Sequence, residues 1–234
     1  MDIILYFAAI AALILSIWAQ FKVKSTFNKY SRIGTRAGKS AAEVAEMILR
    51  AGGAYGVRIE RVGGSLTDHF DPRTNTLRLS DAVYSSSSSA AIGVAAHEAG
   101  HAIQHAKEYL PIKIRVAMVP AVNFASRFSW LVIMAGILAT ALLDSPLSYY
   151  IMLFGIGLFA VVTLFELVTL PCEFNASRRA MSALADSGWY SREELKGARS
   201  VLTSAALTYV AALAVSLIQL LRLVVRFLGN NRKR

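Results

Sequence analysis

The chain has 234 residues, of which 55% are hydrophobic, with a formal charge of +10 and a mean hydropathy of +0.47. That is too apolar for an ordinary water-soluble domain of this length, so part of the chain must lie in a bilayer. The positive charge gathers in short runs beside apolar stretches, as suits Lys and Arg at anionic headgroups; with no basic stripe interleaved with aromatic residues and no nucleic-acid-binding motif, a nucleic-acid partner is not expected. The length fits a single domain, and no Pro/Gly/Ser-rich linker divides it. Cys172 is the only cysteine, which excludes an internal disulfide and reads as a small apolar filler.

Residues 3–21 form an apolar run long enough to cross a bilayer, without a signal-type cleavage site, so an uncleaved anchor is expected. Lys22, Lys24, Lys29, Arg32, Arg36 and Lys39 follow it, and only Asp2 precedes it. This asymmetry assigns the following segment to the cytoplasm and the N-terminus to the outside. Ser40 and Glu43 have the capping-box spacing ahead of an Ala/Met/Ile/Leu pattern, which predicts a short helix ended by Gly52 and Gly53. Residues 57–62 alternate and include β-branched side chains, and 77–79 follow the turn-rich stretch 71–75. Two strands are expected, the second in a hairpin with 66–70. Strand 76–80 is expected at the sheet edge, where it would hold a substrate peptide extended. The serines at 85–89 run into an Ala-rich helical stretch at 90–106, and serine is a favoured N-cap.

Residues 128–143 and 149–170 predict a second and a third span, joined by a short connection without Lys or Arg that suits an outer loop. Arg127 and Glu166 fall at matching depth on these two spans and are expected to pair. The third span returns to the cytoplasm at Pro171. Residues 172–200 are polar and basic, with a second capping box at Ser191 and Glu194. Residues 201–221 are again one bilayer thickness of apolar sequence, but a fourth span would carry Arg222, Arg226, Arg232, Lys233 and Arg234 outward, against the charge rule. The alternative is a re-entrant helix packed against others through its Ala, Ser and Thr residues and Tyr209.

The stretch His97-Glu-Ala-Gly-His101 is a His-Glu-x-x-His motif. Residues four apart on a helix lie one above the other, about 6 Å apart, so both imidazoles can reach one zinc ion. Glu98 then faces the open position and can act as general base toward a zinc-activated water. His105 extends the series, but eight residues span about 12 Å, too far for His97 and His105 to share an ion. It reads as a polar residue at the helix end, and His69 as at best a weak substrate contact. A third ligand is required, and a carboxylate usually accompanies two such histidines. Glu173 is best placed, just after the third span; Glu166 is the competitor, inside the apolar run. Arg178, Arg179, Tyr190 and Tyr209 are candidate oxyanion donors that sequence does not rank.

The segments His97-Glu-Ala-Gly-His-Ala-Ile-Gln-His105, Asp68-His-Phe-Asp-Pro-Arg73, Thr76-Leu-Arg-Leu-Ser80 and Leu170-Pro-Cys-Glu-Phe-Asn-Ala-Ser-Arg-Arg179 resemble the neutral zinc metallopeptidases of bacterial membranes, the YugP-like family. The likeness runs over about 27–221. The block from Glu173 to Ser177 is also similar to the third-ligand segment of HtpX-like peptidases, whose pattern ends in aspartate where this chain has Ser177. The resemblance implies Glu173 as ligand and a gluzincin-like core, with Asn175 or Ser177 taking over the orienting task of the missing carboxylate.

These readings combine into a mainly α, multi-span protein of a bacterial inner membrane, with a small α+β gluzincin-like zinc peptidase unit on the cytoplasmic side. One zinc ion held by His97, His101 and Glu173, with Glu98 as base, would hydrolyse a peptide or protein substrate; membrane lipid is the other partner. The rival readings are a zinc-binding scaffold without chemistry and an intramembrane protease.

Overall fold

The computed structural model describes residues 2–142 and 146–231. Helices carry most of the chain: α1 (Asp2–Tyr30), α2 (Ala41–Ala51), α3 (Ser89–Ala106), α4 (Leu110–Leu142), α5 (Pro146–Asp186) and α6 (Arg192–Asn231). Three short strands, β1 (Arg58–Val62), β2 (His69–Asp71) and β3 (Thr76–Ser80), form one sheet in the order β1-β3-β2. The chain divides into two compact units, one of residues 1–18, 114–169 and 209–234 and the other of 19–113 and 170–208.

The first unit is wholly helical. Many of its large apolar side chains, Leu131, Leu138, Phe154, Leu164 and Leu217 among them, are exposed, an arrangement that water disfavours and lipid accepts. Four helices, Ile3–Tyr30, Leu110–Leu142, Leu147–Asp186 and Arg192–Gly229, are long and apolar enough to cross a membrane. At about 1.5 Å per residue, α5 with its 41 residues is roughly 60 Å long, twice the hydrocarbon thickness of a bilayer. A spanning helix of this length has turns left over to carry side chains beyond the membrane.

Inside the first unit, Ile133, Met152, Ile156, Phe159, Leu223 and Phe227 form a core. Gly136 and Gly155 set the approach of α4 to α5: a Cβ on Gly136 would lie 2.8 Å from the Met152 backbone, and one on Gly155 2.9 Å from the Ile133 nitrogen. Small residues at such a crossing let backbones touch where no hydrophobic force acts between helices. Glu166 accepts a hydrogen bond from the Ser216 hydroxyl. The expected Arg127–Glu166 ion pair is absent from the described residues; the serine of α6 supplies the partner that a carboxyl group at this depth needs. The Arg222 guanidinium stacks over the Tyr6 ring, 5.8 Å from its centroid, so one of the charges that opposed a fourth span finds an aromatic face within the protein. α6 is one uninterrupted helix of 40 residues, and no re-entrant turn interrupts 201–221. Leu143, at the end of the expected second span, and the terminal residues 232–234 lie outside the described residues.

The second unit holds the sheet, α2, α3, the C-terminal turns of α1 and α5 and the N-terminal turns of α6. Ser40 caps α2 in a reciprocal box with Glu43, Ser88 caps α3 through the Ala91 N–H, and Ser191 with Glu194 caps α6. Each satisfies donors that a helix start leaves open. Leu77 and Leu79 of β3 join Val44, Ala45, Ile92, Ala95, Ala99, Ala180 and Leu184 in the core. β3 is parallel to β1, with Arg58 opposite Thr76, and antiparallel to β2, with Phe70 opposite Leu77. The strand expected at the edge is therefore the centre of the sheet. Its alternation of fully buried leucines with Arg78, which pairs with Glu60 and Asp71, belongs to a strand flanked on both sides. The free edges are β1 and β2.

Candidate metal centre

α3 presents His97 and His101 one turn apart, with ring centroids 4.7 Å apart and the planes nearly perpendicular. α5 brings Glu173 to both: its Oε2 lies 3.1 Å from His97 Nε2 and 3.5 Å from His101 Nε2. All three side chains are largely shielded, Glu173 almost completely. One donor atom from each falls within 4.8 Å of the others. Tetrahedral zinc with ligands at about 2.0–2.1 Å sets its donors roughly 3.3 Å apart. Two imidazole nitrogens and one carboxylate oxygen at these separations fit that ion, and three protein ligands leave a position open.

Each imidazole is also held from behind. Ser177 Oγ lies 3.1 Å from His97 Nδ1, the position expected of the residue that stands where the HtpX-like pattern has aspartate. His101 Nδ1 lies 3.0 Å from Gln104 Oε1. Gln104 escaped the sequence reading, although its place three residues after His101 on a helix put it on the same face. Asn175 does not touch a histidine in this arrangement; it bonds Gln104 instead.

Glu98 Oε2 accepts the Phe70 backbone N–H of β2 at 3.1 Å. Burial raises its carboxyl to about 7, the Glu173 and Asp68 carboxylates add to the rise, and His97 and the Phe70 N–H oppose it. A carboxyl group poised near neutrality exchanges protons readily at ordinary pH. Because the Phe70 N–H turns to Glu98, it faces away from β3, and β2 lies with its free edge toward the helix that bears the motif. Phe70 also contacts the ring of His105, at 5.7 Å between centroids. His105 is exposed, and exposed His69 bonds the Thr67 carbonyl with Nδ1 at 2.8 Å; neither joins the cluster.

The approach of α3 to α5 rests on Gly100. A Cβ there would lie 2.7 Å from the Ala176 carbonyl oxygen, a backbone atom that cannot move aside alone. Ala176 is itself small and buried. Gly100→Ala should therefore push α5 and its Glu173 away from the histidines. Overpacking costs about 1–3 kcal/mol, more than the roughly 1 kcal/mol that alanine adds as a helix former. Lower thermal stability together with weaker zinc retention is expected; a variant unchanged in both would remove Gly100 from this role.

Of the candidate oxyanion donors, Arg179 and Tyr190 line a separate cavity of about 470 Å³ with Met47, Ile103 and Lys107, and the walls of that cavity include none of His97, Glu98, His101 and Glu173. Burial pushes the Tyr190 hydroxyl up to about 12. Glu166 is bonded to Ser216 and is not in the donor cluster among the described residues.

Comparison with known proteins bears on the family of the chain, not on its ligands. The chain is 47% identical over 224 residues to "Putative membrane protease YugP" of Bacillus subtilis (strain 168), covering 96% of each chain. No solved structure matches it. Residues 5–228 match the family described as "Putative neutral zinc metallopeptidase". The chain belongs to that family.

Proposed function

We propose that this protein is an active membrane-bound peptidase that hydrolyses peptide bonds at one zinc ion, with His97, His101 and Glu173 as ligands and Glu98 as general base. The observation that carries the reading is the convergence of two imidazole nitrogens and one carboxylate oxygen within 4.8 Å, directly beside a carboxyl group raised to about 7. Zinc bound there would polarise a carbonyl and acidify water. Glu98 takes the proton from the attacking water and returns it to the nitrogen of the departing amine. An extended substrate is placed along the free edge of β2, rather than along β3, because that edge lies next to Glu98.

A closed scaffold site would use four ligands and need no base; three ligands with an adjacent carboxyl group favour catalysis. An intramembrane protease would carry its motif on a spanning helix, whereas α3 is not among the four candidate spans of the described residues. The purified protein should cleave an unstructured peptide, lose that activity on chelation and regain it with zinc. Indifference to chelation would sink the reading.

The site is assigned to the cytoplasmic side of a bacterial inner membrane, on the basic run from Lys22 to Lys39 that follows the first span. A cysteine at Lys39 should be shielded from impermeant reagents in intact cells, and one at Ser145, outside the described residues, should react. The opposite pattern would invert the topology.

A further inference from the structure

We propose that Gln104, locked by Asn175 and Arg179, is the positioning residue that fixes the tautomer of His101 and turns its Nε2 toward zinc. The inference rests on the zinc-site reading above, and it follows from the polarity of a chain of hydrogen bonds. Arg179 Nε can only donate, and it lies 2.7 Å from Asn175 Oδ1, so the oxygen of that amide must face it. Gln104 Nε2 lies 3.0 Å from the same oxygen and 2.8 Å from the Cys172 carbonyl oxygen. Both neighbours are acceptors, so the NH₂ group must point there and both of its hydrogens are engaged. Gln104 Oε1 is then the atom left facing His101 Nδ1 at 3.0 Å, and an amide oxygen only accepts.

Nδ1 of His101 must therefore carry the proton, and Nε2 keeps its lone pair. Nε2 is also the atom turned to Glu173. A flip of either amide would set oxygen against oxygen or N–H against N–H. Gln104 is fully buried, so water does not relieve such a mismatch. Sequence spacing builds the chain: Gln104 is one turn beyond His101 on α3, and Asn175 and Arg179 are one turn apart on α5. His97 has no equivalent lock, because the Ser177 hydroxyl at its Nδ1 can donate or accept.

The test compares zinc affinity, by competition with a chelator, and the visible spectrum of the cobalt(II) form in purified wild type and variants. Gln104→Leu should weaken zinc binding about 10–100-fold, the usual effect of losing an outer partner of a ligand histidine, and shift the cobalt bands. Asn175→Leu should shift both in the same direction. Asn175→Asp offers only acceptor oxygens to Arg179 and Gln104, so it should stay within about threefold of wild type. If Gln104→Leu does not fold, the Asn175 pair decides alone. Wild-type zinc affinity in Gln104→Leu, or a loss in Asn175→Asp as large as in Asn175→Leu, overturns the inference. A wild type with no zinc affinity overturns the zinc-site reading and this inference with it, whereas zinc-binding wild type with unaffected variants overturns the inference alone.

Discussion

A Glu98→Gln protein should bind zinc as the wild type does while hydrolysing peptides roughly 10²–10⁴-fold more slowly, the usual worth of a general base. Glu98 is not one of the three residues whose donor atoms converge, so the substitution removes no ligand. Glutamine has nearly the same shape, and its amide oxygen can still accept the Phe70 N–H that now bonds the carboxylate at 3.1 Å. What it lacks is a site that takes up a proton near neutral pH. The wild-type carboxyl group has that capacity because burial has brought it to about 7. Zinc content by elemental analysis and a peptide-cleavage rate, measured on the same preparation, decide the matter. Full activity in the variant would assign the base elsewhere.

Alanine at His97, His101 or Glu173 should lower zinc occupancy and activity together. Each removes a direct donor, so the loss of affinity should exceed the roughly 10–100-fold that an outer hydrogen bond is worth. Glu173→Ala also separates the roles of the two glutamates of α5. Glu173 faces both Nε2 atoms, whereas Glu166 bonds Ser216, so Glu166→Gln should leave zinc content unchanged. Normal zinc in Glu173→Ala, or depleted zinc in Glu166→Gln, would move the third ligand.

The local signals in the chain were sufficient for the helix starts, the apolar helices and the facing of the two histidines. Ser40 with Glu43, Ser88 and Ser191 with Glu194 mark helix starts by hydrogen bonds across three residues. The apolar runs mark the spans because a bilayer imposes one length. His97 and His101 share a face because four residues make about one helical turn.

Tertiary packing decided what joins distant segments. Residues 76–80 read as a strand in sequence, but whether a strand is central or at an edge depends on which partners arrive on each side, and the parallel pairing with β1 comes from a segment 18 residues away. Glu166 and Arg127 matched in depth along their helices, yet depth does not fix rotation about the helix axis, and Ser216 of α6 took the place of the arginine. Gln104 looked like one more polar residue after the motif; its role depends on Cys172, Asn175 and Arg179, which the fold returns beside α3 after some 70 residues. Sequence determined the residue types that could hold a metal and the helix that spaces two of them. The close crossing of α3 and α5 at Gly100 and Ala176 sets a third donor opposite, since the backbones come near enough there for Glu173 to reach both imidazoles.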